Sequence, residues 1–241
     1  MELNAAWAIA KKDMSIYYLR PNIIVSGLLF PLFMFLAFSI GNTSGPSVLI
    51  AGLIAITILF SASSIEPVSV PIERRTKTYD RLLSAPVSLN ALVVGESTSG
   101  FIYSLAIAMA PFIAGLVVYG TPVVDVISLV VGLLLTAFCI ASMGTLFASY
   151  PTESPGDIMS MLNVVRLPLV FISGVFIPLS TIPAAARFVT YFSPLTYGYD
   201  LILNGYTGTS HINPFVDVVM LFVFILIFQL LADRLYKRSS A

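Results

Sequence analysis

Six apolar stretches, at 23–40, 48–65, 97–118, 123–147, 158–177 and 214–231, dominate this chain, and short segments rich in glycine, proline and polar residues separate them. A bilayer core of about 30 Å takes roughly 20 helical residues at about 1.5 Å each, close to the length of each stretch. Only 10% of the residues are charged and 58% are apolar, whereas a soluble domain carries about a quarter charged residues, so the solvent here is lipid. The expected fold is an all-α polytopic membrane protein, six transmembrane helices forming one domain over 1–241, without internal repeat, linker or soluble module. Twelve Lys and Arg balance twelve Asp and Glu, leaving no electrostatic basis for nucleic-acid binding. Glu2, Lys11, Lys12, Asp13 and Arg20 precede the first apolar stretch and no convincing small-residue cleavage site follows it, so it reads as a permanent span rather than a signal peptide.

Positive charge retained on cytoplasmic flanks sets orientation. Lys11, Lys12 and Arg20 precede the first stretch, Arg74, Arg75, Lys77 and Arg81 lie between the second and third, and Arg234, Lys237 and Arg238 follow the sixth. These segments share one side only if the number of spans is even, which predicts cytoplasmic termini. A seventh span at 184–203 is rejected, because Arg187, Pro194 and Asp200 interrupt it and it would move the C-terminal charges outside. Two short helices instead, at about 182–192 and 195–204 and broken at Ser193-Pro194, predict an external re-entrant hairpin. Trp7, Ala10, Met14 and Tyr17 recur at helical spacing and predict an interfacial helix on the inner leaflet, the alternative being a mobile polar tail.

Small residues allow close helix contact, and they line Ala106, Ala110 and Ala114 on the third span and Ala137, Ala141 and Thr145 on the fourth. Pro31, Pro111 and Pro168 are expected to kink their spans. Cys139, the only cysteine, reads as a packing residue with no metal or disulfide partner. Asp125 and Asp217, near outer span ends, are expected to be solvated.

A search for catalysis returns little. The single histidine, His211, lies in an external loop, there is no HExxH helix, and Gly95-Glu96-Ser97 has no histidine within a span to activate the serine. Lys77-Thr78 follows no glycine run, so the chain carries no phosphate loop and is not expected to bind ATP alone. Every Asp and Glu falls at or near a predicted span end, which argues against an ion-coupled transporter or channel, and a lipid-directed enzyme lacks a catalytic constellation. Arg166 is the one basic residue inside a span. It is expected either to snorkel or pair with Asp157 or Glu153, in a structural or gating role, or to contact substrate or ion directly.

The polar segment 66–96 is the most informative. Pro71 and Pro86 bound an expected helix of three or four turns from Glu73 to Leu83, in which Glu73 and Lys77 form an i,i+4 pair. Tyr79, Leu82 and Leu83 give an apolar edge that a soluble partner would bury, the alternative being a solvated loop.

These residues resemble two motifs of type 2 ABC exporter permeases, the membrane subunits of drug, lipid and polysaccharide exporters. Glu73, Arg74, Thr78, Leu82, Leu83 and Pro86 are similar to the ATPase-coupling helix of that family. Ser173-Gly174-Val175-Phe176-Ile177-Pro178, then Ile182-Pro183, then Ser193-Pro194-Leu195-Thr196-Tyr197, resemble the exit of the fifth span and the external re-entrant helices, which places Gly174, Pro178, Pro183, Pro194 and Tyr197 in a gate region. Lys77 stands where the family often has glycine, and the arginine often found after the Pro-Leu-Thr-Tyr segment is absent at Leu203 and Asn204. The resemblance implies a non-catalytic permease in the plasma membrane, paired with an identical or related permease above two copies of a separate ABC ATPase. ATP and Mg would be bound by that ATPase and no cofactor by this chain, with drug or lipid export preferred.

Overall fold

The computed structural model describes residues 2–39, 45–84, 87–177, 179 and 188–239, and every regular element among them is helical. Helix α1 (Glu2–Tyr17) precedes α2 (Pro21–Ile24), a π-helical turn (Val25–Leu29) and α3 (Phe30–Ser39). Then follow α4 (Pro46–Ala62), α5 (Glu66–Arg75), α6 (Thr78–Leu83), α7 (Leu89–Val117), α8 (Val126–Ala148), α9 (Pro155–Ile172), α10 (Pro194–Thr207) and α11 (Pro214–Ser239).

Among the described residues five helices are long and apolar enough to cross a bilayer: Pro46–Arg75, Leu89–Val117, Val126–Ala148, Pro155–Ile172 and Pro214–Lys237. The first apolar stretch is divided instead into α2, the π turn and α3, and Pro31 explains the division. Proline donates no hydrogen bond and its ring crowds the carbonyl four residues back, that of Gly27. A π turn, in which the Phe30 N–H reaches the Val25 carbonyl, relieves that crowding. Pro111 and Pro168 lie inside α7 and α9, which continue through them.

Helix α4 is the centre of the bundle. Ala51, Ile54, Ala55, Ile56, Ile58 and Leu59 have no exposed surface, whereas α9 and α11 bury only about a fifth of their apolar window. Lipid is as apolar as leucine, so such helices associate through close packing and polar contacts rather than through the hydrophobic effect. On α8, Ala137, Ala141 and Thr145 are fully buried as expected. On α7 the close-packed face is Gly100, Ser104, Ala108, Pro111 and Gly115; Ala106 and Ala110 are exposed. A methyl on Gly100 would strike the Ala62 carbonyl, and one on Gly115 would lie 2.7 Å from Ile50 Cγ2.

Hydroxyls within the helices are absorbed locally: Ser61 donates to the Thr57 carbonyl at 2.6 Å and Ser97 to that of Val93 at 3.0 Å. Gln229 joins α11 to two neighbours, donating to Ser97 Oγ and Ser142 Oγ, each at 2.8 Å. Cys139 packs with Tyr197, Leu201, Leu221 and Ile225.

Helix α10 confirms the break at Ser193-Pro194, and every residue from Pro194 to Tyr206 is buried. The first half of the expected hairpin lies mostly outside the described residues. Asp217 is not solvated: it is buried with no exposed surface, as is Asp200, which accepts the backbone N–H groups of His211 and Ile212 as the loop folds back. Asp125 caps α8, accepting from the Ile127 and Ser128 N–H groups at 3.0 and 3.2 Å.

One cluster holds Ile9 of α1, Val70 of α5, Tyr79 of α6, Leu92 and Val93 of α7, Ala148 at the end of α8, and Ala232 and Tyr236 of α11. Both terminal helices therefore meet the polar segment at the same end of the bundle.

Candidate functional site

The polar segment does not form the single helix expected. Pro71 lies inside α5, and the chain breaks at Thr76-Lys77 before α6 begins. Lys77 has φ +59°, the left-handed conformation that favours glycine, so the residue that stands in place of glycine still makes the glycine-like turn. Thr78 Oγ1 secures the break, donating to the Glu73 carbonyl at 3.2 Å and lying 2.8 Å from Thr76 Oγ1.

Glu73 is almost fully buried and does not pair with Lys77. Its Oε1 accepts Lys12 Nζ at 2.5 Å, and Tyr17 Oη approaches at 3.5 Å, so its partners come from α1. The helix on which an i,i+4 pair depends ends at Arg75 and Lys77 takes a positive φ, and the buried carboxylate takes the cation that α1 brings to it. The buried face of α1 is Ala6, Ile9, Ala10, Asp13 and Tyr17, with Trp7 half exposed on the opposite side. A methyl on Gly95 of α7 would lie 2.7 Å from the Ala6 carbonyl, which shows how closely the two helices approach.

Asp13 is 1% exposed, and neither carboxylate oxygen has a hydrogen-bond partner, although Lys12 Nζ lies 3.2 Å from Oδ1. Burial raises its pKa to about 7; Lys12 opposes the shift and Glu73 adds to it. For Lys12, burial lowers the pKa, but Asp13 and Glu73 outweigh it and hold the ammonium above its ordinary value. Burial, and then Glu73, pushes the Tyr17 hydroxyl up to about 12.

Arg74 ties the same segment to α8. Its guanidinium donates to the Tyr150 carbonyl and, at 3.3 Å, to that of Ser149, placing a cation at the negative end of a helix. It also lies 5.1 Å from the centroid of the Tyr79 ring, which stacks on Tyr236 at 6.0 Å. Tyr236 donates to Glu96 Oε2 at 2.6 Å. Leu82 is half buried and lines a groove of about 480 Å³ with Ala5, Ile9, Lys12, Leu89 and Leu92. The Leu83 side chain and Pro86 lie outside the described residues.

At the other end of the segment, Arg166 neither snorkels nor pairs with Asp157 or Glu153. It has no exposed surface: Nε donates to Ser63 Oγ at 3.0 Å, and Nη2 donates to the Ser63 carbonyl and, at 3.3 Å, to Ser64 Oγ. The guanidinium lies 5.4 Å from the Phe60 ring centroid, and Glu66 supplies the opposing charge. Glu66 Oε1 accepts the Gly100 N–H at 2.9 Å, and a methyl on Gly144 would lie 3.2 Å from Oε2. Arg166 thus clamps the turn by which α4 passes into α5. Asp157 accepts Thr152 Oγ1 instead, at 3.2 Å, in the turn before α9, and Glu153 is exposed.

In the segment expected to form a gate, Gly174 adopts φ +91°, and a methyl there would lie 2.9 Å from Leu179 Cγ. Pro194 opens α10, and Tyr197 Oη donates to the Tyr191 carbonyl at 2.9 Å. Pro178 and Pro183 lie outside the described residues. Sequence reasoning missed Lys12, Asp13, Ser63, Glu66, Glu96 and Tyr236 as members of this network. One local signal existed: Ser88 caps α7 through the Ala91 N–H at 3.1 Å, so the helix starts at Leu89 and Glu96 lies two turns inside it. Glu96 therefore lies inside α7 rather than before it.

No curated protein matches the chain. The family model described as ABC-2 type transporter matches residues 4–207, a range that contains most of α1, the polar segment, Arg166 and α10. This chain belongs to the ABC-2 type transporter family and is a multi-pass membrane permease.

Proposed function

We propose that the chain is the membrane subunit of an ATP-driven exporter, with six crossings, both termini in the cytoplasm and the plasma membrane as its location. It pairs with a second copy or a paralogue, and two copies of a separate ABC ATPase, which bind ATP and Mg, dock beneath the polar segment. ATP-driven closure of the ATPases moves α6, and substrate, with drugs or lipids preferred, leaves between the permeases past a re-entrant α10. The chain itself catalyses nothing; it is a conduit with two stable arrangements, and partner binding energy selects between them.

The observation that carries this reading is the way the segment is held. Glu73 binds α1 through Lys12, Arg74 binds the end of α8, and Glu66 binds α7 through Gly100 and faces Arg166 of α9. A push on α5 and α6 therefore reaches α1, α7 and α8 through short polar contacts, and α9 through the charge of Arg166, rather than through a solvated loop.

The test is to purify the tagged chain from its native membrane in mild detergent and look for a co-purifying ATPase that carries a phosphate loop. Leu82→Asp, which places a charge in the groove beside α1, is expected to abolish co-purification; unchanged recovery of the ATPase refutes docking at α6. A second reading, an ion-coupled transporter, draws on the burial of Glu66 and of Glu96 within α7. Flux in vesicles driven by an ion gradient alone, with no ATPase recovered, would establish it.

A further inference from the structure

We propose that α1 is a proton-controlled latch on the polar segment: it stays docked while Asp13 carries a proton and releases when Asp13 ionises. The inference concerns regulation of the segment assigned above to ATPase docking. Its test uses this chain alone, so failure of the ATPase reading and failure of the latch are separable.

Acids outnumber cations where α1 meets the polar segment. Asp13 of α1, Glu73 of α5 and Glu96 of α7 meet at one buried junction, where they are 1%, 4% and 2% exposed. Glu66, fully buried, interacts electrostatically with both Asp13 and Glu96. One cation on α1, Lys12, faces these acids, and its short contact, 2.5 Å, goes to Glu73. Arg74 is turned to the carbonyls at the end of α8. Glu96 has the Tyr236 hydroxyl as its donor, and the Tyr17 hydroxyl approaches Glu73, while Tyr79 stacks on Tyr236. Among the described residues no group of three or more His, Cys, Asp or Glu is placed to hold a metal ion. Asp13 is left with two buried oxygens that accept no hydrogen bond, and its one opposing charge is Lys12 Nζ, 3.2 Å from Oδ1.

An ionised carboxylate in that position is desolvated, unbonded and close to other carboxylates, and each of these disfavours the charge. A proton removes all three penalties and gives up only the attraction to Lys12, which burial outweighs. When α1 lifts, Asp13 returns to water and its ordinary acidity, so docking and protonation are linked. With Asp13 titrating at about 7 when docked and at 3.8 when free, the docked form is favoured fully below the free value. It loses that preference as pH rises through the docked value. Between pH 6 and pH 8 the docking equilibrium weakens about tenfold.

The experiment measures exposure of α1 with a maleimide on the purified chain. Cys139 is fully buried, so an introduced thiol is the reactive one. Ile9→Cys reports on the buried face, and Ser15→Cys, on the exposed face, corrects for the pH dependence of thiol chemistry. The readout is the labelling rate of the Ile9→Cys variant divided by that of the Ser15→Cys variant. This ratio is expected to rise about tenfold from pH 6 to pH 8 in the native background and to stay level with Asp13→Asn. A level ratio in the native background overturns the proposal, and so does an equal rise in Asp13→Asn. Should Asp13→Asn fail to fold, Asp13→Ser also lacks the titrating carboxyl and replaces it, while the native-background ratio remains decisive alone.

Discussion

Replacing Gly205 by alanine tests whether α10 rests on α8 at backbone contact. A methyl on Gly205 would lie 2.6 Å from Leu129 Cβ, 2.9 Å from its Cα and 3.0 Å from its backbone nitrogen. Carbon atoms in contact sit about 3.5–4.0 Å apart, so the helices must separate by about 1 Å or distort. Two of the three atoms are backbone and have no rotamer to change. Overpacking of this kind costs about 1–3 kcal/mol, against a gain of about 1 kcal/mol from alanine's better helix propensity. The control is Gly156→Ala in the first turn of α9, where the nearest atom is Ser154 Oγ at 3.7 Å and only the propensity gain operates. Thermal unfolding in mild detergent, followed by size-exclusion retention, should move the two variants in opposite directions. Gly205→Ala is expected to fall by several degrees, at about 2–4 °C per kcal/mol for a chain of this size. A Gly205→Ala midpoint equal to or above that of Gly156→Ala would refute the close approach.

Two other outcomes follow from the site. Lys77→Gly removes a left-handed penalty of about 1–2 kcal/mol and adds unfolded-state entropy worth about 0.4–1 kcal/mol, so it should raise the unfolding midpoint slightly. Lys77→Val, β-branched at the same φ, should lower the midpoint, and a reversed order refutes the assigned turn. Tyr236→Phe leaves Glu96 Oε2 without its 2.6 Å donor and should destabilise the protein by about 1–3 kcal/mol. Adding Glu96→Leu should recover part of the loss in a double-mutant cycle, and strict additivity would refute the pairing.

Composition and hydropathy determined the solvent, the helical class and most of the spans, because about 20 apolar residues in a row have few other uses. Charge asymmetry predicted both ends of the chain on one side, and the motifs around Glu73 and Pro194 were legible as sequence. Helix faces were not. In water an apolar stripe marks the buried side of a helix, but in lipid both sides are apolar, so Ala106 and Ala110 read as a packing face although Gly100, Ala108 and Gly115 form it. Partners of charge were equally hidden. Arg166 meets Ser63 across 103 positions, Lys12 meets Glu73 across 61 and Tyr236 meets Glu96 across 140, whereas local reasoning offered Asp157 and Lys77. Sequence sets a residue's neighbours along its own helix. The fold alone decided which of the buried acids found a donor: Glu96 has the Tyr236 hydroxyl, whereas Asp13 accepts no hydrogen bond.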